Sequence, residues 1–255
     1  MDRARSRLAF EARNGRTVLA ASRTELPLAV QRPLRGPGGQ AVVAVLTPSG
    51  ALFDGDNVCL EVTCGPDTDV TLTTASATRL NRCDRLDIRF DLHVTVAEGA
   101  TFRYLPHELI PFGGTRYRQR IRIDLHGDAR AWLLEVVSAG QTGAAFSYGC
   151  LRFETTLQQN LEVVARERLE MTPHTAAQLR GHTHYASLFA LGPEWDAAAA
   201  RFVNIGLARQ AGSGASQLPA GGIVVKAVGD AAEPLRTALL EAVDCPPWLR
   251  ALLPP

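Results

Sequence analysis

The sequence LDIRFDLHVTV, from Leu86 to Val96, decides the fold class, because apolar and polar residues alternate strictly along it. Successive side chains of a β-strand point to opposite faces, so this pattern predicts a long strand with one buried face and one exposed face. The same alternation occurs over Val58–Cys64 and again over Arg116–Leu125. These three segments indicate a protein built mainly from half-buried strands.

Five other segments are rich in β-branched and aliphatic residues and are also predicted to be strands. They are RTVLAASR (16–23), AVVAVLTPSG (41–50), AWLLEVVSAG (131–140), LRFETTLQQNLEVVARERL (151–169) and GGIVVKAVG (221–229). Glycine, proline and aspartate turns separate the strands at intervals of roughly 8 to 12 residues, as in a β-sandwich, a barrel or a stacked β-solenoid. Periodicity alone leaves these three architectures open.

Two segments in the C-terminal third have helical spacing of apolar residues. The first is Glu194–Arg209, which follows a glycine and a proline that suit a helix start. The second is Ala232–Val243, in which apolar residues recur on one face. The glycine-rich segment 210–222 between them is predicted to be a loop. We expect a single, mainly β domain over residues 1–255 with about two α-helices near its end.

Composition restricts the class of protein. The chain has 255 residues, 46% of them hydrophobic, and a net charge of +1, which argues against a dedicated nucleic-acid binder. No uninterrupted apolar run is long enough for a membrane span, and the arginine-rich start lacks the apolar core of a secretory signal. The five cysteines form no C-x-x-C pair. We therefore expect a soluble cytoplasmic protein that binds neither membrane nor nucleic acid.

The segment YLPHELIPF, Tyr104 to Phe112, contains half of a zinc-protease motif. His107 and Glu108 match the start of H-E-x-x-H, but Pro111 replaces the second histidine. That motif needs both histidines on one helical face, and a proline in the interior disfavours the helix. The residues therefore favour a proline-bracketed connector between two strands over a metal site.

Arg116, Arg118, Arg120 and Arg122 form a ladder on one side of a predicted strand. Guanidinium groups so close together require anions, either from neighbouring strands of the same protein or from an acidic partner. A solvated face with cross-strand pairing is the simpler interpretation. A partner-binding surface is the functional alternative.

His182 and His184 are two residues apart and would lie on one face of a strand. Two imidazoles hold nickel or zinc only weakly, because a stable site needs three or four ligands. Together with His107 and Glu108 they form the basis of one alternative function, a metal-dependent hydrolase. No nucleophile elbow, P-loop or dinucleotide fingerprint is present in the sequence.

Several turn and strand segments occur together in an order that resembles the urease accessory protein D family, called UreD, or UreH in some organisms. They include LTPSGALFDGDNVCLEV (46–62), VTLTTASATRLNRC (70–83), YLPHELIPFGGTRYRQ (104–119) and GGIVVKAVGDAAEPLRTALLEA (221–242). The likeness extends from about Leu8 to Arg250. It implies a β-rich, helical stack of strands with few α-helices.

The resemblance also implies a function. UreD proteins are maturation chaperones without an established catalytic reaction. They bind the urease apoprotein, the accessory protein UreF and, through UreF, the GTPase UreG, and this assembly inserts nickel into urease. The resemblance implies that no cofactor is stably bound, and an internal passage has been proposed as the route of nickel in transit.

Residue by residue, the family's P-S-G-G-L-x-x-G-D segment matches Pro48–Asp56, and its Y-L-P-x-x-x-I-P-F segment contains His107 and Glu108. We expect Asp56, His107 and Glu108 to contact nickel during passage, since a carboxylate releases the ion more readily than a thiolate. The family's G-R and G-E pairs are missing from Gly140–Ala144, so contacts made by that arginine and glutamate elsewhere are in doubt here.

Overall fold

The computed structural model describes residues 3–141, 143–174, 178–196, 199–201, 203, 212–219 and 221–252. The strands within these ranges are β1 (Ala4–Arg13), β2 (Arg16–Arg23), β3 (Ala29–Val30), β4 (Leu34–Arg35), β5 (Ala41–Leu46), β6 (Ala51–Leu52), β7 (Asn57–Cys64), β8 (Asp69–Thr74), β9 (Thr78–Leu80), β10 (Ile88–Val96), β11 (Thr101–Tyr104), β12 (Leu109–Pro111), β13 (Arg116–Leu125), β14 (Arg130–Ser138), β15 (Cys150–Gln159), β16 (Glu162–Met171), β17 (His184–Leu191), β18 (Ser213–Gln217) and β19 (Ile223–Gly229). Two complete helices follow, α1 (Ala232–Ala242) and α2 (Pro247–Leu252).

The strands wind into a β-solenoid of about four turns. Coil 1 contains β5, β6 and β7, coil 2 contains β8, β9 and β10, coil 3 contains β11, β12 and β13, and coil 4 contains β14 and β15. Equivalent strands of successive coils pair in parallel, which produces sheet A (β7, β10, β13, β15), sheet B (β5, β8, β11, β14) and a short third side. The structure thus confirms the solenoid and decides among the three architectures.

Strands outside the four coils complete both sheets, and they pair antiparallel except for β1, which pairs with β7 in parallel. The order in sheet A is β16-β15-β13-β10-β7-β1-β2, and the main path of sheet B is β18-β19-β17-β14-β11-β8-β5-β3. β2 and β16 lie at the two edges of sheet A, while β17, β19 and β18 extend sheet B beyond coil 4. Sheet A is thus continued past coil 1 by a parallel strand, while both sheets are continued past coil 4 by antiparallel strands.

Coil length explains why the sequence shows no fixed repeat. Val58 pairs with Phe90, Phe90 with Gln119, and Gln119 with Phe153, so the spacing between paired positions changes from coil to coil. Extra or missing residues are accommodated in the turns, and the strand register is kept. A search for a constant sequence period misses such a solenoid.

The main hydrophobic core lies between sheets A and B. Alternate residues of each long strand point inward, including Leu60 of β7, Leu92 of β10 and Ile121 of β13, which are almost completely buried. A second apolar cluster covers the other face of sheet B. There Leu235 and Leu239 of α1 pack with Leu134 of β14 and Leu188 of β17. Sheet A has no such cover among the described residues.

The structure confirms most predicted elements and corrects five. The predicted strand at 151–169 is divided into β15 and β16, which pair antiparallel. β10 begins at Ile88, two residues after the predicted start, and Pro111 ends the short strand β12 inside the predicted connector. Ser213–Gln217 forms β18 where a loop was predicted, because it pairs with the buried strand β19. Helix α2 was not predicted.

The predicted helix Glu194–Arg209 falls partly outside the described residues. Within it, residues 199–201 and 203 are helical. No helix in the described part of the chain has the length and apolar character needed to cross a membrane.

Candidate functional site: a cavity with buried polar groups

A cavity of about 100 Å³ lies inside the solenoid, between the two sheets. Most of its wall is apolar, with Leu52, Leu60 and Phe90 among the lining residues. Thr47, Gly50 and Ser76 line it where the turns of the first coils meet. Its polar lining residues include Thr74 of β8, His107 in the turn after β11, Gln119 of β13 and Glu135 of β14. The cavity is therefore an apolar space with a few convergent polar groups, as is common in binding sites.

His107 is the polar residue on one side of the cavity. It is 5% exposed, and its backbone N–H donates a 3.0 Å hydrogen bond to Oγ1 of Thr74. Nδ1 of the ring lies 3.3 Å from the same hydroxyl oxygen. Pro106 precedes it in the cavity wall, so the proline-bracketed turn predicted from the sequence fixes the direction of the histidine.

Glu135 and Gln119 form the polar centre of the cavity. Gln119 of β13 faces Glu135 of β14 across the core, and its Nε2 donates to Oε1 of the carboxylate. Tyr117 donates a 2.9 Å hydrogen bond from its hydroxyl to Oε1 of Gln119. All three residues are buried, so the chain of hydrogen bonds satisfies polar groups that are removed from bulk solvent.

The buried environment of Glu135 raises the pKa of its carboxyl group. Burial raises the pKa of the carboxyl to about 7, although hydrogen bonds from Gln119 and Thr155 and the charge of Lys226 act in the opposite direction. Burial also raises the pKa of Tyr117, since a phenolate is costly in this apolar surrounding. A carboxyl that titrates near neutral pH inside a cavity is a recognised mark of a functional site.

A row of polar side chains continues from Glu135 of coil 4 onto the added strands β17 and β19. Glu135 of β14 is in register with Ser187 of β17, and Ser187 is in register with Lys226 of β19. Lys226 forms an ion pair with Glu167 of β16, and 46% of the lysine side chain is exposed. A second, much smaller cavity is lined by Glu135, Ser187 and Glu167 together with Thr155. Glu135 therefore lies in the wall of both cavities.

Comparison with known proteins gives this cavity a family context. The family model described as UreD urease accessory protein matches residues 2–253 of the chain. The chain belongs to the UreD family. The urease accessory protein UreD of Actinomyces naeslundii is 31% identical over 223 residues, which are 84% of this chain and 82% of that protein.

Two further relatives have the same description. The urease accessory protein UreD of Deinococcus radiodurans is 34% identical over 190 residues, 72% of this chain and 68% of that protein. The urease accessory protein UreD of Alkalilimnicola ehrlichii is 32% identical over 248 residues, 92% of this chain and 83% of that protein. The relatives are named as accessory proteins, so a role in urease maturation follows for the UreD chain described here.

Of the three residues expected to contact nickel in this UreD chain, only His107 lines the cavity. Asp56 is half-buried in the turn before β7, where its Oδ2 accepts a 2.8 Å hydrogen bond from the backbone N–H of Phe53. Glu108 adjoins His107, but its carboxylate acts on His184 and Arg236, where burial lowers both pKa values and the charge of Glu108 opposes part of that shift. Asp56 and Glu108 are absent from the cavity wall described here.

The arginine ladder of this UreD chain lies on the outer face of sheet A. Arg116 forms a 2.7 Å ion pair with Asp87, and Arg122 forms one of 2.9 Å with Asp124. Arg118 and Arg120 each lie 3.2 Å from a different oxygen of Glu154. Three of the four arginines thus pair with carboxylates outside β13, as the simpler interpretation expects, whereas Arg122 pairs within β13. Partner binding by these four arginines stays a prediction.

The histidine pair does not form a metal site with the other candidates. Nδ1 of His182 lies 3.2 Å from Asp230, while Nδ1 of His184 lies 2.9 Å from the Thr183 hydroxyl. Burial lowers the pKa of His184, and Glu108 and Asp230 partly oppose that shift. Among the described residues, no group of three or more His, Cys, Asp or Glu side chains could hold a metal ion. The hydrolase alternative therefore lacks its metal centre in this part of the UreD chain.

Sequence reasoning missed Gln119 and Glu135. The segment AWLLEVVSA contains one acidic residue within an apolar run, and its composition predicts only a strand. Alternation along β14 gives Glu135 the same direction as Leu133 and Val137, which both face the main core. A lone glutamate at a core-facing position is the signal that would have found this site.

Proposed function

We propose that this chain is a non-enzymatic scaffold for urease maturation, which binds the urease apoprotein and the accessory proteins UreF and UreG in the cytoplasm. In this role it assists nickel insertion while no cofactor stays bound to it. The match to the UreD family over residues 2–253 is the observation that carries the proposal. The uncovered outer face of sheet A and the solenoid ends supply surface for several partners at once.

Nickel in transit would pass through the interior in this proposal. Support comes from the line of polar groups that begins at His107, continues at Gln119 and Glu135, and ends at the partly exposed Lys226–Glu167 pair. An ion that must be released needs few and separated ligands, because several donors on one centre would trap it. The spacing of polar groups along the two cavities is consistent with that requirement.

Copurification tests the scaffold role. The full chain is coexpressed with UreF, UreG and the urease subunits, and each partner is assayed in the fraction that retains the tagged chain. Coelution of UreF and apo-urease is the expected result. Failure of both to coelute would overturn the scaffold proposal.

Activation kinetics test the interior route separately. The purified assembly is supplied with nickel, and the rate at which apo-urease gains activity is compared for the wild type, His107→Ala and Glu135→Gln. We expect both variants to assemble normally and to activate urease several-fold more slowly. Glu11→Gln, on the exposed side of β1, is the matched control and should activate at the wild-type rate. Normal rates in both cavity variants would refute the route and leave the scaffold role intact.

A further inference from the structure

The outer face of sheet A carries three arginines side by side on neighbouring strands. Arg89 of β10 is in register with Arg118 of β13, and Arg118 is in register with Arg152 of β15. Like charges directly opposite each other on adjacent strands destabilise a sheet. The electrostatic repulsion within this row therefore destabilises this part of sheet A.

The next two rows add more arginines than carboxylates. Arg120 and Arg168 lie on either side of Glu154 in one row, while Arg122 and Arg166 lie on either side of Thr156 in the other. We call the outward residues of these rows on β10, β13, β15 and β16 the arginine face. The chain as a whole has a net charge of only +1, so this surface is strongly positive relative to the rest.

Ion pairs within the chain neutralise only some of the arginines on the arginine face. Arg118 and Arg120 share the carboxylate of Glu154, and Arg152 forms a 2.8 Å ion pair with Glu170. Arg89, Arg166 and Arg168 are exposed, and none of them forms an ion pair or a side-chain hydrogen bond with the described residues. The unmatched positive charge thus lies on the strands that flank the sequence-predicted ladder, at Arg89 on one side and at Arg166 and Arg168 on the other.

We propose that the arginine face docks an acidic protein surface, with Arg89, Arg166 and Arg168 as its principal contacts. Guanidinium groups that carry no internal partner pair readily with carboxylates of another protein, in the bidentate geometry that arginine favours. Complementary charge of this kind accelerates association and fixes orientation. The identification of the docked protein as a member of the maturation assembly rests on the proposed function.

The same face fits a polyphosphate chain poorly. Glu154 and Asp91 stand within the arginine rows, where a continuous line of phosphates would meet them. Burial tends to raise the pKa of Glu154, but Arg118 and Arg120 lower it, so that carboxylate is charged at neutral pH. The outward positions of the three rows contain no Phe, Tyr or Trp side chain on which bases could stack, and His93 supplies the single imidazole among them. A protein surface with mixed, mainly acidic charge can match both signs.

Charge reversal tests the proposal. The triple variant Arg89→Glu, Arg166→Glu and Arg168→Glu breaks no ion pair among the described residues, and it keeps β16 charged as an edge strand. The matched control is Arg32→Glu, Arg35→Glu and Arg85→Glu, which changes three exposed arginines outside sheet A by the same total charge. Circular dichroism checks that both variants fold.

The first measurement is binding of polyglutamate to the full chain at increasing salt. We expect salt-sensitive binding that weakens about tenfold or more in the triple variant and changes little in the control, since exposed charge contacts are screened and add up. Equal weakening in both variants would overturn the proposal. Tighter wild-type binding to a single-stranded oligonucleotide, or to vesicles containing an anionic lipid, would overturn it as well.

The second measurement repeats the copurification with UreF, UreG and apo-urease. Loss of one partner from the triple variant alone would identify the docked protein. Retention of all partners by both variants would overturn the inference and leave the scaffold role standing. If the wild type retained no partner, the scaffold proposal would fail, and the polyglutamate comparison would still decide whether the face binds acidic polypeptide.

Discussion

The Asp54 carboxylate accepts a 2.7 Å hydrogen bond from the backbone N–H of Leu86 through Oδ1. Its Oδ2 accepts two more, from the N–H groups of Arg85 at 3.0 Å and Asp84 at 3.3 Å. Asp54 follows β6 in coil 1, and the three donors follow β9 in coil 2, so one side chain joins equivalent turns of consecutive coils. These bonds, led by the one from Leu86, lower the pKa of Asp54.

Replacement of Asp54 by alanine should lower the melting temperature at neutral pH, because three backbone donors lose their charged acceptor. A carboxyl whose pKa is lowered by folding contributes stability above its unfolded-state pKa and loses it as pH falls through the folded-state value. The difference between wild type and variant should therefore shrink in acid. Calorimetry from neutral pH down to about 3 checks this expectation.

Asp56→Ala is the control for the same turn. Asp56 accepts one backbone hydrogen bond in place of three, so its loss should lower the melting temperature less. An equal effect of the two substitutions would show that the bonds between coils do not account for the stability contributed by Asp54.

Replacement of Glu135 by glutamine should increase stability at pH above about 7. The pKa of the buried carboxyl is raised to about 7, so folding disfavours its charged form. As pH rises from the unfolded-state value of about 4.5 to about 7, the wild type loses stability, by about 3 kcal/mol at most. Glutamine avoids that penalty, and the advantage should disappear below about pH 4.5, where the wild-type carboxyl is protonated in both states.

Urea unfolding at a series of pH values measures this difference directly. Glu11→Gln, on the exposed part of β1, provides the comparison and should show no comparable rise with pH. A stability gain for Glu135→Gln that is the same in acid and in alkali would contradict the expected protonation of the buried carboxyl.

Much of the fold was predictable from alternation alone. β10 and β13 have alternating apolar and polar residues because one face of each strand packs in the core and the other is more exposed to solvent. β18 does not, since Ser213–Gln217 is only partly buried and depends on pairing with β19. The solenoid itself was implied by the family resemblance and not by the residues, because variable coil lengths remove the sequence period that would reveal it.

The candidate site was predictable only at His107. That residue belongs to a motif of adjacent residues, whereas Gln119 and Glu135 come from strands on opposite sides of the core and meet only after the coil closes. Asp54 was overlooked in favour of Asp56, since composition does not show which carboxylate reaches the next coil. Which residues meet across coils depends on the strand register, and the local sequence does not show that register.

The ion pair between Asp69 and Arg103 should be important for stability beneath α1 and α2. Arg103 is 9% exposed, and its guanidinium lies 5.1 Å from the ring centre of Trp132. Asp69→Asn should destabilise the protein by about 3 kcal/mol, because a nearly buried cation loses its counter-charge. Arg103→Met in the Asp69→Asn background should recover part of the loss. Unfolding of the two single variants and the double variant measures the coupling, and additive effects would contradict it.

Gly140 provides a steric test of the turn after β14, where the family's arginine and glutamate are missing. Its φ is +115°, and an added Cβ would lie 2.6 Å from the backbone oxygen of Pro111, at the end of β12. Gly140→Ala should lower the free energy of unfolding by at least about 2 kcal/mol, since both the backbone conformation and the clash oppose it.

Gly143, with φ of +83° and no atom within 4 Å of an added Cβ, is the matched control. Gly143→Ala should cost about 1 kcal/mol for the conformation alone. Equal losses in urea unfolding would mean that coil 4 does not pack against Pro111 as closely as the structure indicates.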